Sequence, residues 1–228
     1  MEIRFLNKST AFPDPLTADQ SGLLAVGGTL TATRLLDAYS KGIFPWYSEG
    51  EPVMWWSPDP RVVLFPENLH VSRKMKKHLQ KKTFTVTVNR QFERIISKCG
   101  APRKDEERTW ITAEMIESYT RLHHEGFAHS VEVWKGGELA GGLYGVGFSH
   151  MFFGESMFSE IPDSSKFGFI RLTRYLKRNG FLFIDCQIDS GHLRSLGAVP
   201  VSREKFLGML SGQLAGTGLV RTRFPDTI

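Results

Sequence analysis

The sequence predicts an α/β protein of the α+β kind built on a mixed sheet, and three observations predict it. From about residue 61 onward, short segments with strand-like alternation are interleaved with segments whose apolar residues recur at helical spacing. Three strand segments, 129–134, 139–148 and 151–158, follow one another across short turns. They form an antiparallel meander inside a sheet that also receives strands through crossing helices. Residues 1–60 lack that regularity, so the chain divides into a small N-terminal domain, 1–60, and a larger domain, 61–228.

Residues 1–20 read as irregular, with Pro13 and Pro15 as breakers. Leu23–Gly28 is a short apolar run ended by glycines. Thr31 caps a helix to about Lys41 that turns Leu35, Leu36 and Tyr39 inward. An aromatic loop follows at Gly42–Tyr47, and the two prolines of Trp55–Pro60 bar a helix there. Arg61–Phe65 is a strand, Ser72 caps a basic helix to about Lys81, and Phe84–Val88 is a strand. Residues 90–99 are helical and 100–108 form a charged loop. Thr112–Glu125 is a helix with Met115, Ile116, Tyr119 and Leu122 on one stripe. After the meander come a helix at Ser164–Arg178, a strand at 181–188 and a short helix at Ser202–Leu210.

The 228 residues are 41% hydrophobic and 23% charged, the balance of a globular protein able to bury a real core. No run of about 18 apolar residues occurs, so neither a membrane span nor a membrane partner is expected. The first residues lack a signal peptide's apolar stretch, and the two cysteines, Cys99 and Cys186, do not suggest a bridge. A cytoplasmic location is the expectation. The net charge of +5 permits an anionic partner without proving one.

Chemistry is sought first at residues 181–188. Alternation puts Phe181, Phe183, Asp185 and Gln187 on one face and Leu182, Ile184, Cys186 and Ile188 on a core face. A carboxylate in an apolar strand is costly unless something pairs with it or needs it. In Phe152–Phe158, alternation puts Phe153, Glu155 and Met157 on one face, and Gly154 permits close approach by a ligand. The helix at 70–82 carries Arg73, Lys74, Lys76, Lys77, Lys81 and Lys82 with no acidic residue between them. It is either a solvated face or a phosphate-backbone contact that positions a nucleic acid without reading its sequence. Tyr39, Phe44, Trp46, Tyr47, Trp55, Trp56 and Trp110 mostly make a core, although Trp46 and Trp110 sit beside loops where rings can stack on a base. Cys186 with His192 is not read as a thiol nucleophile, because Cys186 points away from Asp185 and Gln187. Gln213–Gly218 has the form of a pyrophosphate loop but does not open a helix. No metal-ligand spacing is present.

Eight stretches carry a resemblance. They are Gly22–Gly28, Gly42–Trp46, Trp55–Arg61, Thr109–Thr112, His129–Trp134, Gly141–Gly145, Phe153–Ser159 and Ile184–Gln187. In order and together they resemble the leucyl/phenylalanyl-tRNA–protein transferase family of bacteria, over residues 5 to about 206. Thr29 and Ala32 stand where that family often has Asp and Pro, and Ser164-Ser165-Lys166 replaces Asn/Asp-Ala-Ser-Lys.

The resemblance implies an acetyltransferase-like (GNAT) fold for the larger domain. Its donor is an aminoacyl-tRNA bearing Leu, Phe or Met in place of coenzyme A, with no cofactor and no metal. The acceptors are proteins with N-terminal Arg or Lys, which the product marks for N-end-rule degradation. A monomer is expected. By resemblance, Asp185 and Gln187 are catalytic, and Trp46 and Trp110 line the adenosine and aminoacyl site with Tyr39, Tyr119 and Glu155 beside them. Leu143, Phe152, Met157, Leu172 and Ile184 line an apolar pocket, with Gly154 at its edge. Arg73, Lys74, Lys77, Lys81 and Lys82 hold the tRNA.

The reaction is attack of an α-amine on the ester that joins the amino acid to the terminal adenosine. Gln187 orients the amine, and the family's proposal makes Asp185 a relay behind the amide. An amide is a poor base, so the alternative is that Asp185 stabilises the ammonium or takes its proton directly or through water. Two rival readings are a coenzyme A-dependent N-acetyltransferase, which would depend on residues 213–218, and a non-catalytic RNA-binding protein, which would tolerate loss of Asp185 or Gln187.

Overall fold

The computed structural model describes residues 4–101 and 109–228, so most of the charged loop expected at 100–108 lies outside the described residues. The N-terminal part contributes β1 (Arg4–Leu6), β2 (Leu23–Gly27), α1 (Ala32–Ser40), β3 (Phe44–Pro45) and β4 (Met54–Trp56). These strands form a sheet in the order β1-β2-β4-β3, parallel between β1 and β2 and antiparallel elsewhere. Thr31 caps α1 as its sequence position predicts, its side chain accepting from Arg34 N at 3.2 Å. Trp55 is fully buried and donates its indole N–H to Gly27 O at 2.8 Å, which accounts for it as core.

The rest of the chain runs β5 (Arg61–Leu64), α2 (Arg73–Gln80), β6 (Thr85–Val88), α3 (Phe92–Cys99), α4 (Ala113–His124), β7 (Ala128–Lys135), β8 (Glu138–Phe148) and β9 (Met151–Ser159). It continues with α5 (Ser164–Arg178), β10 (Phe183–Gln187), α6 (Gly191–Arg194), β11 (Val199–Val201) and α7 (Arg203–Leu214). A seven-stranded sheet has the order β11-β5-β10-β9-β8-β7-β6. The meander β7-β8-β9 is antiparallel as expected, and β9 and β10 are the one parallel pair of that sheet among the described residues. A parallel pair needs a crossover, and α5 supplies it. The sheet is therefore mixed.

Each face of the large sheet covers its own core. One cluster joins Leu35 of α1, Ile95 of α3, Met115 of α4 and Phe206 of α7 to Trp55 of the small sheet. The other packs Met75 of α2 and Phe167, Ile170 and Leu176 of α5 beneath the opposite face. Strand alternation decides the side: Phe183 enters the first cluster, while Ile184 and Cys186 enter the second.

Two expectations about faces are corrected. Leu182 and Ile188 are exposed and not core, because the strand is ordered as β only from Phe183 to Gln187. Phe153 and Met157 fall on opposite faces, in the first and second clusters respectively, because β9 carries an extra residue between them. The short β1 and β11 and the four-residue α6 give no periodicity to read, and α7 runs on to Leu214.

Candidate active site

The parallel pairing of β10 with β9 sets Phe183, Ile184 and Asp185 opposite Met151, Phe152 and Phe153, and stops there. Beyond that point each strand is bulged. On β9, Tyr144 faces Ser156 and Gly145 faces Gly154, which leaves Glu155 as the extra residue. On β10, Asp185 faces Val63 and Gln187 faces Val62, which leaves Cys186 as the extra residue. A bulge bends its strand and re-aims a side chain. Two bulges at the end of one parallel pairing put Glu155 and Gln187 into the gap between the strands. Gln187 Nε2 donates to Glu155 Oε1 across it at 2.8 Å.

Gln187 has φ of 63°, the left-handed region, which costs a residue with a side chain about 1–3 kcal/mol. Two hydrogen bonds hold it there. Ile188 N donates to Cys186 O at 2.8 Å, closing a three-residue turn around Gln187, and Gln187 N donates to Asp185 Oδ1 at 2.9 Å. Among the described residues the amide oxygen of Gln187 has no partner.

Asp185 is 0% exposed and its partner Arg61 1% exposed. Arg61 Nε donates to Oδ1 at 2.8 Å and Nη2 to Oδ2 at 2.6 Å, a bidentate pair. Nη1 donates to Gly42 O at 3.1 Å, and the guanidinium lies 4.7 Å from the Phe44 ring centre and 4.6 Å from that of Phe206. Gly42 has φ of 71°, and a Cβ there would come within 2.7 Å of Leu207, so only glycine presents its carbonyl this way. With both carboxylate oxygens engaged by a guanidinium, Asp185 is poorly suited to take the amine's proton.

Among the described residues no cation pairs with Glu155. Tyr39 donates to its Oε1 at 2.7 Å, and the Tyr119 hydroxyl lies 3.1 Å from Oε2. Burial pushes its carboxyl up to about 7, against the lowering effect of hydrogen bonds from Tyr39 and Tyr119; Asp185 raises it further and Gln187 lowers it. Both phenols are fully buried and are pushed well above the usual tyrosine range, by burial first and the Glu155 charge second. Burial likewise pushes the Cys186 thiol up, so it stays a thiol.

These groups open onto a cavity of about 830 Å³. Trp46 and Trp110 stand on its wall with Leu143, Phe152, Met157 and Ile184, and Gly154, Glu155, Asp185 and Gln187 also line it. Trp46 is 39% exposed, and Trp56 steadies it by donating its indole N–H to Trp46 O at 2.7 Å. Tyr39 and Tyr119 are not on the wall but behind Glu155. Leu172 is a correction: it is buried in the second core cluster, and Phe169, about one turn earlier on α5, meets the cavity instead. Arg61 and Gly42 are the residues sequence reasoning missed. The available signal was a lone arginine opening the apolar strand Arg61–Leu64.

Elsewhere, Arg73, Lys74, Lys77, Lys81 and Lys82 are all exposed on or just after α2. Lys74 is ion-paired with Asp163, and His78 lies 3.9 Å from the same carboxylate, so α5's leading turn supplies a counter-charge that the local sequence of the basic run lacks. Among the described residues Arg73, Lys77, Lys81 and Lys82 make no ion pair. Gly216 and Gly218 follow the end of α7 and do not precede a helix. No group of three or more His, Cys, Asp or Glu among the described residues is arranged to hold a metal ion.

Comparison with known proteins decides the family. The description "Leucyl/phenylalanyl-tRNA protein transferase" matches residues 63–211, and that of the same protein's N-terminal domain matches residues 28–59. A Leucyl/phenylalanyl-tRNA--protein transferase of Legionella pneumophila (strain Corby) is 54% identical over 203 residues, 89% of this chain and 91% of that protein. This chain belongs to the leucyl/phenylalanyl-tRNA protein transferase family. The Pseudomonas fluorescens (strain Pf0-1) protein of that family is 51% identical over 208 residues, 90% of this chain and 92% of its own length. Membership makes the chain an aminoacyltransferase. Among solved structures, L-PGS from Bacillus licheniformis matches at TM-score 0.41 and 13% identity over 70% of this chain and 51% of that one. A GCN5-related N-acetyltransferase from Kribbella flavida matches at TM-score 0.33 and 11% identity over 73% and 59%.

Proposed function

We propose that this protein moves Leu, Phe or Met from aminoacyl-tRNA to the α-amine of proteins that begin with Arg or Lys, as a cytoplasmic monomer, and that the product is marked for proteolysis. The observation that carries this reading is the Gln187 amide. Its nitrogen is tied to Glu155, so its oxygen faces the cavity between the tryptophans and the apolar wall.

The acceptor amine must be neutral to attack, and an ordinary α-amine with pKa about 7.7–8.0 supplies that form near neutral pH. The amide oxygen of Gln187 accepts one N–H and aims the lone pair at the ester carbon. Asp185 is a positioning residue: paired with Arg61, it holds the Gln187 backbone in its left-handed turn. An ester is already activated, so alignment supplies much of the rate. Trp46 and Trp110 receive the terminal adenosine by stacking, worth about 1–3 kcal/mol per base. Leu143, Phe152, Met157 and Ile184 receive the amino-acid side chain, and Tyr39, Tyr119 and Glu155 form the polar wall beside it. The exposed cations of α2 hold the acceptor stem through its phosphates. Residues 1–60 act as the smaller unit, which brings Trp46 to the catalytic unit, 61–228.

Purified protein with radiolabelled Leu-tRNA is expected to label a peptide beginning with Arg and not the same peptide beginning with Ala. No transfer from Leu-, Phe- or Met-tRNA would overturn this reading.

A further inference from the structure

Four oxygen atoms, joined by three contacts, close a ring behind Gln187. The Tyr39 and Tyr119 hydroxyls are 2.5 Å apart, Tyr39 is 2.7 Å from Glu155 Oε1, and Tyr119 is 3.1 Å from Glu155 Oε2. Each of these three contacts needs one proton. The two phenols supply two. With Glu155 ionised, one contact is left without a proton: either both hydroxyls turn to the carboxylate and the two phenol oxygens face each other bare at 2.5 Å, or Tyr119 turns to Tyr39 and leaves Glu155 Oε2 without a donor. With Glu155 neutral, Oε2–H donates to Tyr119, Tyr119 donates to Tyr39, and Tyr39 donates to Oε1. The second lone pair of Oε1 then accepts Gln187 Nε2, so every donor and acceptor of the ring is matched.

We propose that Glu155 acts as a neutral carboxylic acid, a positioning residue that fixes which end of the Gln187 amide meets the acceptor and puts no negative charge beside that amide, so that the amine binds in its uncharged, nucleophilic form. This rests on the transferase reading above. Its second half follows from the two carboxyl groups taken together. Asp185 is neutralised by Arg61 and Glu155 by its proton, so neither of the two carboxyl groups bonded to Gln187 presents a bare anion to it. A carboxylate there would favour the ammonium, which has no lone pair to attack with.

The surroundings agree. Tyr39 of α1 and Tyr119 of α4 face Glu155, and Tyr144 of β8 packs edge-on against Tyr119 at 5.6 Å. Cys99 of α3 lines the cavity with Tyr144, α5 presents Ser165 and Phe169 to it, and β10 brings Asp185, with Arg61 of β5 behind it. Arg61 is the one cation of this set, and it is bonded to Asp185. Burial, with Asp185 adding to it, holds the Glu155 carboxyl at about 7. In the reaction the N–C bond forms and the ester C–O bond breaks. The proton lost by the amine ends on the departing ribose oxygen, so the Glu155 proton is not consumed.

The test is the pH profile of kcat/KM with Leu-tRNA and an Arg peptide. Deprotonation of the amine gives a rising limb, and ionisation of Glu155 gives a falling one, a narrow bell centred at about pH 7.5. Glu155→Ala is expected to fall about 10²-fold at pH 7. Glu155→Gln imitates the neutral acid, recovers most of that loss, and loses the falling limb, so that it outruns the parent at pH 9. Infrared spectra of protein carrying ¹³C-labelled glutamate supply a readout independent of activity: a protonated carboxyl band at pH 6 that titrates away at about pH 7 and is absent from Glu155→Gln. A folded Glu155→Gln as inactive as Glu155→Ala, a profile for Glu155→Gln that superimposes on the parent's, or the absence of the band would each overturn the proposal. A titrating band in a protein that transfers nothing supports the neutral carboxyl and overturns the transferase reading instead.

Discussion

Asp185 and Glu155 are both buried carboxyl groups at the ends of neighbouring strands, and the protein treats them in opposite ways. Asp185 lies opposite a guanidinium that meets both its oxygens, while Glu155 lies among phenols and an amide, with no cation in contact among the described residues. Burial alone raises the cost of either charge; the partner decides whether the charge survives. The contrast makes one group a fixed anion inside a pair and the other an acid that titrates near neutrality.

The largest test breaks the first half of the contrast. Arg61→Met leaves the Asp185 carboxylate buried and unpaired, and should cost about 3–5 kcal/mol in urea unfolding. Adding Asp185→Leu should recover most of that, since an apolar pair fills the place without a stranded charge. A single-variant cost below about 1 kcal/mol would show that Asp185 has another partner.

The second test reads Glu155 through stability. Its folded value of about 7 lies above its ordinary value of 4.5, so the native state holds the proton more tightly than the unfolded chain does. That contribution is complete below about pH 4.5 and is lost as pH rises through about 7, amounting to about 3 kcal/mol. Unfolding free energy measured from pH 5 to 8 should fall by up to that amount, and Glu155→Gln should remove this part of the slope.

The smallest effect on stability concerns the residue that touches both carboxyl groups. Gln187→Gly keeps the backbone bond to Asp185 and loses the side-chain bond to Glu155, while relieving the left-handed backbone. The two changes oppose each other, so stability should move by less than about 1 kcal/mol. Transfer should still fall about 10²-fold, because the amine loses its guide. A variant that unfolds early would instead make the Gln187 side chain a structural element.

These features were unevenly legible in the sequence. Alternation was enough to find the strand around Asp185 and to separate Cys186 from its polar neighbours, capping residues placed α1 and α2 within a residue or two, and helical spacing did the same for α4. Alternation failed at Met157 because it assumes one residue opposite one residue, and β9 breaks that count with a bulge at Glu155. The partner of Asp185 was out of reach for another reason: Arg61 is 124 residues away, and only sheet order brings them together. Helical spacing put Leu172 and Phe169 on the same helix, but the crossing of α5 over the sheet decided which one meets the cavity.

The Arg61 guanidinium touches Gly42, Phe44, Asp185 and Phe206 at once, four residues from three stretches of chain that lie far apart in sequence. Trp46 follows two residues after one of them and Gln187 two residues after another. On the roles proposed for Trp46 and Gln187, one side chain thereby sets the spacing between the platform for the donor and the guide for the acceptor. During synthesis the chain emerges in order, so the place where two substrates meet is not complete until Phe206, the last of the four, has packed against that arginine.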